Sequence, residues 1–316
     1  MELRHLRYFV AVVDAAGVSR AAVRLHMTQP ALGRQVRDLE RELGVRLFDR
    51  IGRRVQLTAE GEDMLRRCRA LLTDADSLLE RGQALASGTT GLLRVGASPQ
   101  TLESLVTPFV PRFRQAHPGI DVHLTEDGGP RLLEYLDRGE LHLALTATSE
   151  ERFANRALFP AVAMAVMPRT HGLARRRTVD VTELAESPLL LLRRGFGTRQ
   201  WFDAACQGER LRPRVLLESA APQTLIALAS IGYGVAVIPS NVMLPPRRVR
   251  AAPVTHRDAV IGGWLAASWD PRRFLPPYAE AFVQELARFA RRSYPGRDVI
   301  RRAPALARPR HLQIER

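Results

Sequence analysis

Six residues between Thr28 and Arg37 have the types and spacing to read a polynucleotide: Thr28, Gln29, Pro30, Gly33, Arg34 and Arg37. Glutamine can pair through two hydrogen bonds with adenine and arginine with guanine, while a threonine at a helix N-terminus suits a phosphate. Downstream, Arg46-Leu-Phe-Asp-Arg50-Ile-Gly-Arg53-Arg54-Val-Gln-Leu reads as two short strands around Gly52. Arg50, Arg53 and Arg54 would then sit on a basic hairpin able to lie along a phosphate backbone or in a minor groove.

Three helices must position these groups. Leu3, Leu6, Phe9, Val10 and Val13 recur at helical spacing and predict a first helix that stops near Gly17. Ser19 is the expected cap of a second, from Arg20 to about His26, with Ala21, Ala22 and Leu25 turned inward. Thr28 caps a third that runs to Leu43 and stops at Gly44, with Pro30 in the first turn, where its missing N–H is not needed. Leu32, Val36, Leu39 and Leu43 form its buried stripe, so Gln29, Gly33, Arg34 and Arg37 fall on the open face. That is helix-turn-helix geometry, whose second helix presents its first residues to a major groove. A plain three-helix bundle with a solvated polar face has the same periodicity.

The chain has 316 residues, enough for two or three domains, with an ordinary globular balance of 46% hydrophobic and 25% charged residues. Its 47 basic residues are all arginine and exceed 33 acidic ones, a formal charge of +14. Net charge admits a polyanionic partner, but the excess is spread along the chain. Placement has to decide, and residues 1–58 hold 11 arginines against 6 acids. Two cysteines, Cys68 and Cys206, exclude a disulfide scaffold and a four-cysteine zinc site. Neither a glycine-rich dinucleotide or phosphate loop nor a Gly-x-Ser-x-Gly or His-Glu-x-x-His motif occurs. No catalytic residue, metal ligand or cofactor is therefore expected. The N-terminus has neither a long apolar region nor a small-residue cleavage site, and no run approaches a membrane span, so the cytoplasm is the expected location.

Thr58 can cap a long helix in which Leu65, Leu72 and Leu79 repeat every seven residues, as do Leu71, Leu78 and Leu85. Leu65, Leu72 and Leu79 read as a dimer seam, against the alternative of a helix packed on its own domain. The stretch from Ser87 to Gly91 reads as a flexible break. Beyond it, strands predicted at 92–97, 120–125, 141–146, 161–167, 189–192, 215–218, 235–238 and 263–267 alternate with helices at 99–115, 132–137, 201–206, 223–230 and 277–291. That alternation implies a parallel α/β sheet. Ligands of such sheets bind beyond the carboxyl ends of strands and at helix N-termini. The rule selects Ser98, Gln100, Thr101, Gly128, Gly129, Thr146, Arg199, Ser219 and Gln223, a set suited to a small carboxylate; each is otherwise an ordinary turn or cap residue. Residues 295–316, with three prolines and six arginines, predict a mobile extension that is either simply solvated or makes non-specific DNA contacts.

The run from Arg20 through Arg-Leu-His-Met-Thr-Gln-Pro-Ala-Leu-Gly-Arg-Gln-Val-Arg-Asp-Leu-Glu40, then Glu42-Leu-Gly-Val-Arg-Leu-Phe-Asp-Arg50 and Leu57-Thr-x-x-Gly61, resembles LysR-type bacterial transcriptional regulators. Gly33 departs from the serine usual there. The segments Gly139-Glu-Leu-His-Leu-Ala-Leu145 and Ile231-Gly-Tyr-Gly-Val-Ala-Val-Ile-Pro239 are similar to the family's effector domain. The resemblance implies a multidomain chain: a winged helix-turn-helix at 1–58, a linker and dimerisation helix at 59–88, and a two-lobed α/β domain of the type 2 periplasmic-binding-protein kind at 91–294. Lobe I would be about 91–161 with 266–294, and lobe II about 162–265. It further implies double-stranded DNA, a small-molecule effector, RNA polymerase and a second pair of subunits (a dimer of dimers) as partners, and no membrane.

Overall fold

The computed structural model describes residues 1–51, 54–87, 90–147, 150–245, 247–292, 294 and 296–302. Two compact units form, one built on Met1–Leu85 and the other on Ala86–Leu136 with the chain from Leu141 on.

The first unit consists of α1 (Leu3–Asp14), α2 (Val18–Arg24), α3 (Gln29–Leu43), β1 (Phe48–Ile51), β2 (Arg54–Leu57) and α4 (Ala59–Ser87). Ser19 lies inside α2 rather than capping it. Ala16, at φ 49°, and Gly17 have already turned the chain, and Arg20 donates back to the carbonyls of Ala15 (2.6 Å) and Ala16 (2.5 Å). Thr28 does cap α3, its hydroxyl oxygen accepting from the Ala31 N–H, and Gly44 ends the helix in a left-handed conformation. Two apolar clusters hold the unit together: Val12, Ala21, Ala22, Leu32 and Val36 in one, Leu6, Phe9, Leu39, Leu47 and Cys68 in the other. The Leu57-Thr-x-x-Gly61 motif has a packing reason. Thr58 donates to the Arg46 carbonyl at 2.6 Å and accepts from the Gly61 N–H at 2.8 Å, and a Cβ at Gly61 would overlap the carbonyl of Leu47.

Leu65 and Leu72 of the seam expected on α4 also serve this unit's own packing. Leu65 and Leu72 lean on the unit's own core beside Cys68, because the α4 face that carries them packs against α1 and the start of the hairpin. Arg69 to Asp14 (2.5 Å) and Arg7 to Asp76 (3.3 Å) tie α4 to α1 along the same side. Leu79, the third residue of that seam, is exposed, as are Leu71 and Leu78. The Leu85 side chain lies outside the described residues.

The second unit contains β3 (Gly91–Ala97), α5 (Pro99–Thr101), α6 (Thr107–Ala116), β4 (Ile120–Glu126), α7 (Gly129–Asp137), β5 (Leu143–Thr146) and β6 (Ala154–Pro168). It continues with β7 (Val179–Asp180), α8 (Val181–Ala185), β8 (Leu189–Leu192), α9 (Gly197–Gly208), β9 (Val215–Ser219), α10 (Pro222–Ser230) and β10 (Val235–Pro239). It closes with β11 (Val249–His256), β12 (Ala259–Val260), β13 (Gly262–Trp269), α11 (Pro277–Arg292) and α12 (Arg297–Arg302). The main strand order is β4-β3-β5-β13-β6-β10-β8-β9. This sheet is mixed, not purely parallel. β3, β4 and β5 run together, as do β8, β9 and β10, but β13 and β6 run antiparallel to their neighbours and join the two halves.

β6 spans 15 residues, against the seven expected, because it serves both halves. Its Leu158, Phe159 and Ala161 enter a core with Phe109, Phe113 and Phe282. Farther along, Ala163, Ala165 and Met167 face one core and Val162, Met164 and Val166 another, the two-residue alternation of a strand covered on both sides. The helix expected over 99–115 is interrupted by a π turn at Leu102–Val106. Pro108 has no N–H to offer the carbonyl four residues back, so the ladder slips there.

Part of the extension expected from residue 295 lies among the described residues. Residues 297–302 form α12, and Val299 and Ile300 pack against the core of the second half. Residues 295 and 303–316 lie outside the described residues.

Candidate DNA interface and effector cleft

Thr28, Gln29, Pro30, Arg34 and Arg37 are all exposed at the N-terminal end of α3, with Gly33 half-buried among them. Capping by Thr28 and the Leu32–Val36–Leu39 stripe fix the helix so that this end faces outward. Neither Arg34 nor Arg37 forms an ion pair among the described residues. β1 and β2 pair antiparallel with Arg50 opposite Val55 and Ile51 opposite Arg54, which makes the basic hairpin. Glu40 of α3 accepts from the N–H groups of Leu47 (2.9 Å) and Phe48 (3.3 Å) and so sets the hairpin beside the reading helix. Arg53 lies outside the described residues, and of Arg50 and Arg54 only the backbone is described. A Cβ added at Gly33 would touch only the Arg37 guanidinium, at the ordinary distance of 3.5 Å. Gly33→Ser is therefore expected to leave the fold intact, checked by an unchanged thermal midpoint.

In the second unit, the ends of β3 and β5 and the starts of α5, α7 and α9 meet around a cavity of about 30 Å³ between the halves. Ser98, Gln100, Thr101, Gly129 and Thr146 line it, as the strand-end rule requires. Phe196, Thr198, Trp201 and Asn241 line it too, and the rule selects none of these. The signals are present: Gly197-Thr198 opens a helix, and Asn241 follows a strand that ends at Pro239. Among the described residues, no charged side chain lines this cavity. Gln100 is nine-tenths buried and its side-chain carbonyl has no hydrogen-bond partner.

Four selected residues do something else. Gly128 lines an outer cavity of about 390 Å³, whose mouth carries Arg193 and Arg194. Arg199 is the expected anion contact, but α9 begins four residues earlier than the predicted helix. Arg199 therefore lies in its first turn, buried, donating to Asp203 (2.8 Å), Glu218 (2.7 Å) and the Leu192 carbonyl (3.0 Å). Burial works against its charge, yet the two carboxylates outweigh this and raise its pKa. Ser219 accepts from the Ala221 N–H at 3.1 Å, a turn cap ahead of α10. Gln223 is exposed and donates to Glu103 at 3.4 Å. Arg199→Met should lower stability by about 2 kcal/mol, the cost of breaking a buried pair reduced because both carboxylates are partly solvated, and chemical denaturation would measure it.

The halves are closed on one another. The Gly129 N–H donates to the Gly195 carbonyl at 3.0 Å and the Asn241 amide to the Ser104 hydroxyl at 3.1 Å. Gly129 thus spends its N–H on the opposite half and offers none to a ligand.

Cys206 lies in the core of the second half, where burial, helped by nearby Asp203, pushes its thiol up to about 11. Burial likewise raises Cys68. About one Cys206 in ten thousand is thiolate at pH 7, too few for a peroxide-reactive site. Brief treatment with dilute hydrogen peroxide is expected to leave intact mass and DNA affinity unchanged. Oxidation of Cys206 in the folded chain would contradict this.

Residues 3–62 match the bacterial regulatory helix-turn-helix model of the lysR family, and residues 86–291 match the LysR substrate binding domain. An uncharacterized HTH-type transcriptional regulator, YnfL of Escherichia coli (strain K12), is 32% identical over 288 residues, covering 89% of this chain and 96% of that protein. A full-length OxyR variant from Pseudomonas aeruginosa is 28% identical with a TM-score of 0.66, over 92% of this chain and 95% of that one. CbnR in complex with its target DNA shares the fold at 24% identity and a TM-score of 0.66, over 92% of this chain and all of that one. No helix among the described residues is long and apolar enough to cross a membrane. With an exposed reading helix, a basic hairpin and a closed two-lobed domain on one chain, the protein belongs to the LysR family of DNA-binding transcriptional regulators, whose substrate-binding domain takes small-molecule effectors and which are not enzymes.

Proposed function

We propose that the protein reads operator DNA through Gln29, Arg34 and Arg37, holds the phosphate backbone through Thr28, Arg50, Arg53 and Arg54, and is switched by a small anion bound between the lobes. The working segments are 1–58 for DNA, 59–88 for pairing of subunits and 91–294 for the effector. The observation that carries the effector reading is the convergence of Ser98, Gln100, Thr101 and Thr146 with the start of α9 on one cavity. The first-turn amides of α9, at Gly197, Thr198 and Arg199, precede the helix's own hydrogen-bond ladder and sit at the positive end of its dipole. An anion there is met by neutral donors, and Arg199 serves only to brace the helix.

The exposed Leu71, Leu78 and Leu79 support a homodimer joined through α4. Family membership supports a dimer of dimers on promoter DNA, action on RNA polymerase, and a cytoplasmic location beside the chromosome. Footprinting on the intergenic DNA upstream of the protein's own gene, with carboxylates made or used by the neighbouring genes' products, tests the switch. Thr198→Val should keep DNA binding and lose the response to the active carboxylate. An undiminished response in that variant would remove the cavity from the mechanism.

A further inference from the structure

The chain crosses between the lobes on β6 and β13 and then once more, after α11. Helix α11 belongs to lobe I, where Tyr278, Phe282 and Leu286 sit in the core. Just beyond it, the Tyr294 ring stacks on Phe159, with centroids 4.5 Å apart and planes 18° apart. Gly296 has φ +84°, and a Cβ there would overlap the carbonyl oxygen of Ser240. Val299 and Ile300 of α12 then pack on the lobe II core, and the Ile300 N–H donates to the Gly296 carbonyl at 3.1 Å. The segment is therefore anchored on lobe I at one end and on lobe II at the other.

Its contacts fall directly behind the cavity. Phe159 lines the cavity on one side, and Ser240 stands between Pro239 and Asn241, which line it on the other. Asn241 in turn makes the bond to Ser104 across the cleft. Ser240 also fastens the crossing strand, its N–H donating to the Val162 carbonyl at 2.8 Å and its hydroxyl accepting from the Val162 N–H at 3.2 Å. Rotation of one lobe against the other about β6 and β13 must change the separation of the two anchors. We infer that Tyr294 and residues 296–300 act as a strap across the hinge which favours the closed cleft, so that docking of the strap and opening of the cavity are linked. Linkage is reciprocal: whatever shifts Phe159 or the Pro239–Asn241 segment from inside the cavity is felt by the strap, and release of the strap loosens the cavity. The regulatory consequence rests on the reading of the cleft as the effector site; the mechanical coupling does not.

Hydrogen exchange of the full chain without any ligand tests the coupling, so it can fail or succeed whatever the cleft binds. The reporter is the Gly129 amide, whose acceptor is across the cleft. Gly296→Val, which collides with Ser240, and Ile300→Asp, which places a charge in the lobe II core, should each undock α12. They are expected to speed exchange at Gly129 by about tenfold or more, while amides of β3 and β8 inside the lobes keep their protection. Unchanged exchange at Gly129 with α12 released would overturn the proposal. So would a wild-type α12 whose Ile300 amide exchanges as fast as an unstructured peptide. If either variant loses protection in β8 as well, Ile300→Ala and a chain ending at Arg292 are judged by the same comparison of Gly129 with β3 and β8.

Discussion

Arg34→Ala is expected to weaken operator binding by about 1–3 kcal/mol and to erase the difference between operators that differ in one base pair of the half-site. The side chain is exposed on the first turns of α3, where a recognition helix meets base edges, and no carboxylate of the chain among the described residues competes for it. Gln29→Ala should behave alike at a neighbouring position. Arg54→Ala provides the contrast. A hairpin arginine that neutralises phosphate should weaken all sequences equally and reduce the slope of log affinity against log salt by about one. Fluorescence anisotropy on the operator and on a scrambled duplex across a salt titration separates the two behaviours. If Arg34→Ala lost the same affinity on both duplexes, the residue would be a phosphate contact and base reading would have to be moved elsewhere on α3.

Leu78→Asp combined with Leu79→Asp is expected to convert the proposed dimer into monomers at micromolar concentration, a loss of at least ~3 kcal/mol in association. An isologous seam meets each substitution twice, and each places an unpaired carboxylate on an apolar surface. Leu71, Leu78 and Leu79 recur at seven and eight residues, one stripe of α4, and their side chains are roughly half exposed or more. Leu65→Ala with Leu72→Ala should do something different. Those side chains support the first unit's own core, so the pair should lower its thermal midpoint and leave the sedimentation coefficient of folded protein unchanged. Dissociation by the Leu65/Leu72 pair, with association surviving Leu71→Asp combined with Leu78→Asp, would restore the heptad of Leu65, Leu72 and Leu79 that the sequence first suggests.

The leucines of α4 mark how far local signals reach. Thr28, Gly44, the Leu32–Val36–Leu39 stripe and the strand at 189–192 are legible because each signal is local: a cap, a left-handed stop, a helical period, a short apolar run. The Asp180-x-x-Glu183 capping box that starts α8 is an equally local signal, absent from the elements expected above. The cleft is half legible for the same reason, since Ser98, Gln100, Thr101 and Thr146 follow strand ends that periodicity marks. Arg199 is not. Its fate depends on Asp203 one turn away and on Glu218 of β9, distant in sequence, and a four-residue shift of the helix start decides which way it points. Two faces of α4 carry leucines at heptad spacing, and only packing against α1 determines which is already buried. The tail reads as solvated because α12 has two apolar side chains, too few to build a core, yet enough to dock on one that lobe II has already built. Propensity, capping and period act within a few residues, and they suffice for the helix-turn-helix, the two-part plan and the strand ends that bound the cleft. Which leucines stay exposed, which arginine is spent on the fold and where the C-terminal segment lies follow from packing alone, because each is a competition between surfaces distant in sequence.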